Sequence, residues 1–419
     1  MSSDEPRVAA TLIELGERFV ALQKREFYAT SEPEDPARHT LHVATQVVLA
    51  CVMHRTKPRQ AGKHFVVNRD TIVIGASAGG VEALPKLIAG LPADLDATVF
   101  VTMHMSSRDF GFLADRFNFV GKLPATGAVD GQLIEKNRIY CAVADRHLML
   151  QGNRVRLSSG PRESHARPSI DVLFRSAAFE RSERVIGVVL TGMLDDGTAG
   201  LWAIKDRGGL AIVQSPEEAP YPSMPESALR HVQIDHVLKL AEIPAALASL
   251  VKAPIPERKI AMPDEKLRIE NQIALDNNAL ELGVRNLGAA SFYTCPDCHG
   301  SMVAVKDGSF TRYRCHTGHG FTASALSTHA RQNVEKTLWS ALAQLEEREV
   351  LLQEMERTMR DLSGATQTLE AYDAERHEVQ RFARRLRRLL MDPALHEDAN
   401  RNDAEIQRIV GSEPPDARG

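Results

Sequence analysis

Ser77 is surrounded by glycine and alanine and follows a run of β-branched residues, in the segment Thr71-Ile-Val-Ile-Gly-Ala-Ser-Ala-Gly-Gly80. This pattern predicts a buried strand that turns sharply into a helix, because glycine accepts the backbone angles of a tight turn. The turn leaves the serine hydroxyl uncovered, and the amides at the start of the helix favour negative charge beside it. The segment therefore fits a nucleophilic serine or a phosphate-binding turn.

Two common motifs fit this turn poorly. A dinucleotide-binding loop has glycine where Ser77 stands, so that the backbone can approach the pyrophosphate. The nucleophile elbow of an α/β-hydrolase has the spacing Gly75-x-Ser77-x-Gly79, but in that fold the serine follows several earlier strands. In this chain the serine follows the first clear strand, so neither motif explains the turn.

Two further strand-like segments end in residues that could activate a serine. Ala97–Met103 runs into His104, and Val185–Thr191 is soon followed by two adjacent aspartates. Because the carboxyl ends of parallel strands lie at one edge of a sheet, a serine, a histidine and an aspartate could converge there. In such a triad the histidine acts as the base and the aspartate holds its tautomer.

The elements that must position these residues alternate between strand-like and helical segments from residue 70 to 250. This alternation predicts an α/β domain with a doubly wound parallel sheet. The predicted strands are Thr71–Gly75, Ala97–Met103, Arg138–Val143, Val185–Thr191 and Leu210–Gln214, with a hairpin at His147–Leu157. Helices are predicted after Gly80, around 169–181, around 199–207 and after Pro225.

Five segments of this domain together resemble the catalytic domain of CheB-type protein-glutamate methylesterases. In chain order they are Gly75–Gly80, the strand-end His104, Pro168–Ser176, Leu190–Gly197 and Ser223–Ser227. The resemblance covers residues 69–250, which we predict to be a methylesterase domain. It implies a hydrolase that acts on glutamate methyl esters of chemoreceptor-type proteins and deamidates glutamine there, without a cofactor for catalysis.

The resemblance also implies roles for individual residues. Ser77 would be the nucleophile, His104 the general base and later the general acid, and Asp196 the orienting acid. Backbone amides at Ala78 and Met193 would hold the oxyanion. Of the two adjacent aspartates, only the second matches the motif of the family.

Other residues of the same motifs are predicted to support the site. Asp171 and Arg175 should have structural roles on a helix near it, and Met224 and Pro225 are candidates for the pocket wall. The family usually carries an N-terminal receiver domain, and residues 1–68, an unassigned extension, are too few to form one. We therefore do not expect regulation by phosphorylation within the chain.

A compact Cys/His module is predicted at residues 291–322. A Cys-x2-Cys pair and a Cys-x3-His pair flank a predicted hairpin, which suits a closed tetrahedral zinc site of structural type. Zinc would also supply folding energy that a module of this size cannot obtain from its core. The candidate ligands are Cys295, Cys298, Cys315 and His319, with His316 and His299 as alternatives for the fourth.

The remaining segments are predicted from composition and periodicity. Residues 251–290 should form a linker, residues 323–411 a helical hairpin or coiled coil, and residues 412–419 a disordered tail. The helical prediction rests on apolar residues that recur every seven positions. They are Leu338, Leu345, Leu352 and Met359.

The composition indicates a cytoplasmic protein that neither binds nucleic acid nor inserts into membranes. Of the 419 residues 43% are hydrophobic, the formal net charge is -4, and the first residues lack the features of a signal peptide. Cys51 and Cys141 stand alone and are expected to be buried hydrophobes.

The expected partners are a methylated chemoreceptor-like substrate and a signalling protein, with a dimer through the helices as an alternative. The rival hypothesis is a non-catalytic signalling adaptor.

Overall fold

The structure is a computed structural model that describes residues 68–104, 112–256, 265–275, 278–360 and 366–392. The chain divides into two compact units, 1–65 and 66–419, and all described residues belong to the second. Almost all of the predicted N-terminal extension, including Cys51, and the predicted C-terminal tail lie outside the described residues. No helix among the described residues is long and apolar enough to cross a membrane.

A parallel sheet forms the centre of the methylesterase-like domain. Within the described residues it has seven strands in the order β3-β4-β2-β1-β7-β8-β9, and β5 and β6 form a separate antiparallel hairpin. The strands are β1 (Thr71–Ala76), β2 (Thr98–Met103), β3 (Ala125–Gly127), β4 (Ile139–Cys141), β5 (His147–Gln151), β6 (Arg154–Ser158), β7 (Val185–Val189), β8 (Leu210–Gln214) and β9 (His236–Leu238).

Helices cover both faces of this sheet. They are α1 (Gly80–Gly90), α2 (Phe112–Val120), α3 (Ile170–Arg181), α4 (Thr198–Asp206), α5 (Ser223–His231) and α6 (Ile243–Lys252). Strand side chains alternate between the two cores: Ile72 and Ile74 pack with α1, α2 and α6, whereas Val73 packs with α3, α4 and α5. The predicted α/β class with a parallel sheet is confirmed, and so are the predicted hairpin and the burial of Cys141.

The strand order places the carboxyl ends of three strands side by side. β1 is central, with β2 on one side and β7 on the other, and the chain changes direction between them. Open α/β sheets bind ligands at such a switch point. Ser77, His104 and the loop after β7 therefore meet at one edge of the sheet.

The segment 251–290 differs from the predicted linker. Residues Glu265–Ala274 form a helix, α7, whose side chains Leu267 and Ile273 are buried. Leu267 packs in the core of the first domain, whereas Ile273 packs with Val284 and Val305, so the helix contacts both domains. The sequence of this helix is short and rich in charge, and its burial depends on surfaces supplied by distant parts of the chain.

A second sheet and two long helices complete the described chain. The sheet is antiparallel, with strands β10 (Ala289–Thr294), β11 (Ser301–Asp307), β12 (Phe310–Cys315) and β13 (Gly320–Thr322). The helices are α8 (Ala323–Arg360) and α9 (Thr366–Leu390). They pack antiparallel, because Glu346 pairs with Arg387 near one end and Glu356 with Arg376 near the other.

Candidate active site

The structure brings Ser77, His104 and Asp196 together at the carboxyl ends of β1, β2 and β7. Ser77 Oγ lies 3.0 Å from His104 Nδ1, and His104 Nε2 lies 2.6 Å from Asp196 Oδ2. The Asp196 side chain is 3% exposed and that of His104 is 27% exposed. The three groups thus form a hydrogen-bonded relay that runs from a buried carboxylate to a serine near the surface.

The N-terminus of α3 holds the carboxylate of Asp196. The amides of Ile170 and Asp171 donate to its two oxygens at 2.8 and 3.0 Å, and the hydroxyl of Ser169 donates at 3.0 Å. Burial alone raises the pKa of Asp196, but the hydrogen bond from His104 and these amides outweigh it, so the pKa is lowered. An ionised Asp196 accepts the Nε2 proton of His104, which leaves Nδ1 free to accept the proton of the serine.

Asp171 makes the reciprocal contact. Its Oδ1 accepts hydrogen bonds from the amides of Gly197 at 3.0 Å and Gly200 at 2.6 Å, at the start of α4. Burial and the neighbouring charge of Asp196 raise the pKa of Asp171 well above its usual value. Asp196 therefore binds the N-terminus of the helix that carries Asp171, and Asp171 binds the N-terminus of the helix that follows Asp196, which fixes the loop that carries Asp196.

Close backbone contact shapes the turn at Ser77. Its amide donates to the carbonyl of Thr191 at 3.0 Å, and Gly79 adopts φ +78° at the start of α1. A Cβ on Gly192 would lie 2.9 Å from Ser77 Cβ and 2.0 Å from Met224 Sδ, so only glycine fits there. The amides of Ala78 and Met193, predicted to hold the oxyanion, belong to the two segments that meet at this point.

His147 ties the loop before α3 to the β5–β6 hairpin, a contact that no sequence motif indicated. Its Nδ1 accepts from the amide of Ser169 at 3.2 Å, and its Nε2 donates to the carbonyl of Pro161 at 3.0 Å. Because one ring nitrogen must accept, this arrangement requires a neutral imidazole. Burial lowers the pKa of His147 to about 4. The neighbouring Ser169 in turn donates to Asp196, so His147 supports the site indirectly.

We expect acid to weaken the fold through His147. Its folded pKa lies below the unfolded value of 6.5, so the unfolded chain binds the proton first and stability is lost as pH falls. The free energy of unfolding should fall by about 2 kcal/mol between about pH 7 and about pH 5 from this group. Urea titrations at both pH values, with His147→Asn alongside, measure it. Equal pH slopes for the two proteins would contradict the assignment.

The Cys/His residues form a compact group at one end of the second sheet. The ligand atoms of Cys295, Cys298, Cys315 and His319 all lie within 4.8 Å of one another. Cys298 Sγ and Cys315 Sγ are 3.7 Å apart, far beyond the disulfide bond length of about 2.05 Å. Of the three histidines considered from the sequence, the group found among the described residues contains His319.

Comparison with known proteins places the first domain in a family. Residues 72–247 match the family model described as CheB methylesterase. A relative from Leptospira interrogans, named putative protein-glutamate methylesterase/protein-glutamine glutaminase, is 36% identical over 181 residues, which are 42% of this chain and 92% of that protein. The chain belongs to the CheB methylesterase family. The resemblance inferred from the five segments is thereby confirmed.

Two further matches each cover less than half of this chain. Protein-glutamate methylesterase/protein-glutamine glutaminase 1 of Geobacter metallireducens is 37% identical over 187 residues, 44% of this chain. The match spans 51% of that relative, about half of its length. The chain is also similar to the crystal structure of the Thermotoga maritima CheB methylesterase catalytic domain, with 32% identity, a TM-score of 0.43 and coverage of 44% of this chain and 100% of that one.

Proposed function

We propose that this protein is a serine esterase that hydrolyses γ-methyl esters of glutamate on a chemoreceptor-like protein and deamidates glutamine at the same positions. The observation that carries the proposal is the relay from Asp196 through His104 to Ser77, located at the switch point of the sheet. Membership of the CheB methylesterase family and the names of its relatives support the substrate class.

The proposed reaction has two steps with the same groups. Ser77 Oγ bonds to the ester carbonyl carbon while its proton passes to His104 Nδ1. The amides of Ala78 and Met193 would stabilise the oxyanion, His104 would return the proton to the methoxy oxygen, and methanol would leave. Water then attacks the acyl-enzyme through the same histidine, which yields a glutamate carboxylate and free Ser77.

The charge of Asp196 should matter because the relay is partly buried. The imidazolium that forms on His104 is stabilised by a carboxylate 2.6 Å away, in surroundings where water screens the interaction poorly. Asp196 is itself stabilised by the α3 amides, so it can remain ionised while His104 takes up the proton. The carboxylate is therefore already ionised and held in position before the substrate binds.

Methanol release tests the proposal directly. The full-length protein, incubated with a receptor fragment that carries glutamate methyl esters, should release methanol and form one carboxylate for each methanol. An unmethylated fragment of the same sequence is the matched control and should give no methanol. Retention of every methyl ester, together with binding of the fragment, would instead support the non-catalytic adaptor.

A further inference from the structure

The loop before α3 connects the Cys/His group with the triad. We call residues 159–168 the anchor loop. The carbonyl of Gly320, the residue after His319, accepts a hydrogen bond from the amide of Ser164 at 2.7 Å. On the other side of the group, Asp297 Oδ1 lies 3.0 Å from His165 Nδ1. Residues next to Cys298 and next to His319 therefore contact the same short loop.

A buried ion pair reinforces this contact. Arg314, which directly precedes Cys315, donates to Glu163 Oε1 at 3.0 Å and to the carbonyl of Gly318 at 2.7 Å. The side chains of Arg314 and Glu163 are 1% and 6% exposed. Because the arginine joins the anchor loop to the segment between Cys315 and His319, a change in that segment should be transmitted to the loop.

The anchor loop continues into the residues that hold the carboxylate of the triad. Its last residue, Pro168, precedes Ser169 and Ile170, which donate to Asp196. A second contact reaches the same place from the other side, because the Ser324 hydroxyl at the start of α8 donates to Asp195 Oδ2. The C-terminal module thus touches both segments that determine where Asp196 lies.

The spacing of the ligand atoms fits one zinc ion. Zinc–sulfur bonds of about 2.3 Å in a tetrahedron place two sulfurs about 3.8 Å apart, and zinc–nitrogen bonds of about 2.05 Å place sulfur and nitrogen about 3.6 Å apart. The observed Cys298–Cys315 distance is 3.7 Å, and His319 Nδ1 lies 3.6 Å from both Cys295 Sγ and Cys315 Sγ. Four protein ligands leave no open position, as in a structural site.

We propose that Cys295, Cys298, Cys315 and His319 bind a structural zinc ion, and that this ion fixes the anchor loop and thereby positions Asp196 for the esterase reaction. The catalytic part of this inference rests on the proposed function, whereas the metal site and its mechanical coupling to the loop do not. Asp297 and Gly320, which contact the loop, each lie next to a ligand, so loss of the ion should release both contacts together.

Metal content tests the site itself. The full-length protein, stripped with a chelator and titrated with zinc chloride, should bind about one zinc per chain, and Cys295→Ser/Cys298→Ser should bind none. His299→Ala is the matched control, because this histidine lies beside a ligand but outside the group, and it should keep the metal. Failure of the stripped wild-type protein to take up zinc would overturn the proposal.

Hydrogen exchange tests the coupling without relying on activity. Removal of zinc should speed exchange of amides in residues 162–171 and 195–197 by at least about tenfold, while β8 stays protected, and added zinc should reverse the change. His165→Ala should bind zinc normally yet lose part of this protection. Unchanged exchange in these segments after zinc removal would overturn the coupling, even if the ion binds.

Kinetics then separate this inference from the proposed function. If the protein hydrolyses methyl esters, zinc removal should lower kcat by about 10- to 100-fold with little change in KM, because the substrate still binds but the relay is misplaced. An unchanged kcat after zinc removal would overturn the positioning role. If the protein releases no methanol with or without zinc, the esterase proposal fails, while the metal and exchange results still decide the site and its coupling.

Discussion

Ser77→Ala should reduce methyl-ester hydrolysis by at least about 10⁴-fold, and Asp196→Asn by about 10³- to 10⁴-fold. Without the Ser77 hydroxyl there is no group to form the acyl-enzyme. The asparagine variant keeps the serine and the base but loses the charge that stabilises the imidazolium. Initial rates of methanol release from a methylated receptor fragment measure both effects.

The hydrogen bonds around Asp196 explain why an isosteric change should be so costly. Four hydrogen bonds are donated to this carboxylate, by His104, by Ser169 and by the amides of the first turn of α3. An amide nitrogen placed opposite His104 Nε2 favours the tautomer that carries its proton on Nδ1. That tautomer cannot accept the proton of Ser77, so kcat should fall while KM changes little.

The neighbouring aspartate provides a matched control. Asp195→Asn makes the same chemical change one residue away and keeps an oxygen that can accept from Ser324. It should lose far less activity than Asp196→Asn. The double variant Ser77→Ala/Asp196→Asn should be no slower than Ser77→Ala alone, because the groups of a triad act as a unit. Equal losses in the two asparagine variants would point to a disturbed loop instead of a relay.

The positions of the three relay residues could be predicted because each depends on local signals. A β-branched run predicts each strand, and the residue that follows each run lies at the carboxyl edge of a parallel sheet. The structure then places Ser77 and His104 within hydrogen-bonding distance, as the order of the motifs suggests. Their catalytic role stays a prediction until the variants are measured.

The support around Asp196 could not be predicted in the same way. The Asp196 contacts with Ser169 and Ile170, and the contact of His147 with Ser169, join segments that are 22 to 27 residues apart. They depend on the path of the chain between β6 and α3, which no periodicity encodes. A polar residue before a helix suggests a cap for its own helix, not a clamp for a carboxylate from another loop.

Strand β12 shows a second feature that could not be predicted from local sequence. Arg312 and Arg314 are two positions apart and share one face, a pattern typical of the solvent-exposed side of a strand. In the structure both side chains are buried, because Glu270 and Glu163 face them from 42 and 151 residues away. Charge pairing over such distances does not appear in local sequence patterns.

Glu270→Gln disrupts this buried pairing, and we expect it to cause the largest loss of stability. Glu270 accepts from Arg312 at 2.8 and 2.9 Å and from Arg314 at 2.9 Å, and all three side chains are at most 5% exposed. A neutral glutamine leaves two buried guanidinium groups without their shared countercharge, and its amide nitrogen faces their N–H groups. The free energy of unfolding should fall by about 3–5 kcal/mol, as when one partner of a buried ion pair is removed.

Glu265→Gln is the matched control on the same helix. Glu265 is exposed and pairs with Arg268 at the surface, where water screens the interaction. The control should unfold at nearly the same urea concentration as the wild-type protein. If Glu270→Gln also does so, the ion network makes no net contribution, and the apolar contacts of α7 through Leu267 and Ile273 hold the two domains together.

The pH dependence of Glu270→Gln distinguishes the loss of a charge from a disturbance of packing. Burial alone raises the pKa of Glu270, but Arg312, Arg175 and Arg314 outweigh it and hold the pKa well below its usual value. A lowered folded pKa means that the stabilisation is complete above the unfolded pKa of 4.5 and is lost as pH falls below it. The difference in stability between wild type and Glu270→Gln should therefore shrink in acid. A difference that stays constant down to about pH 3 would show that the variant disturbs packing and not charge.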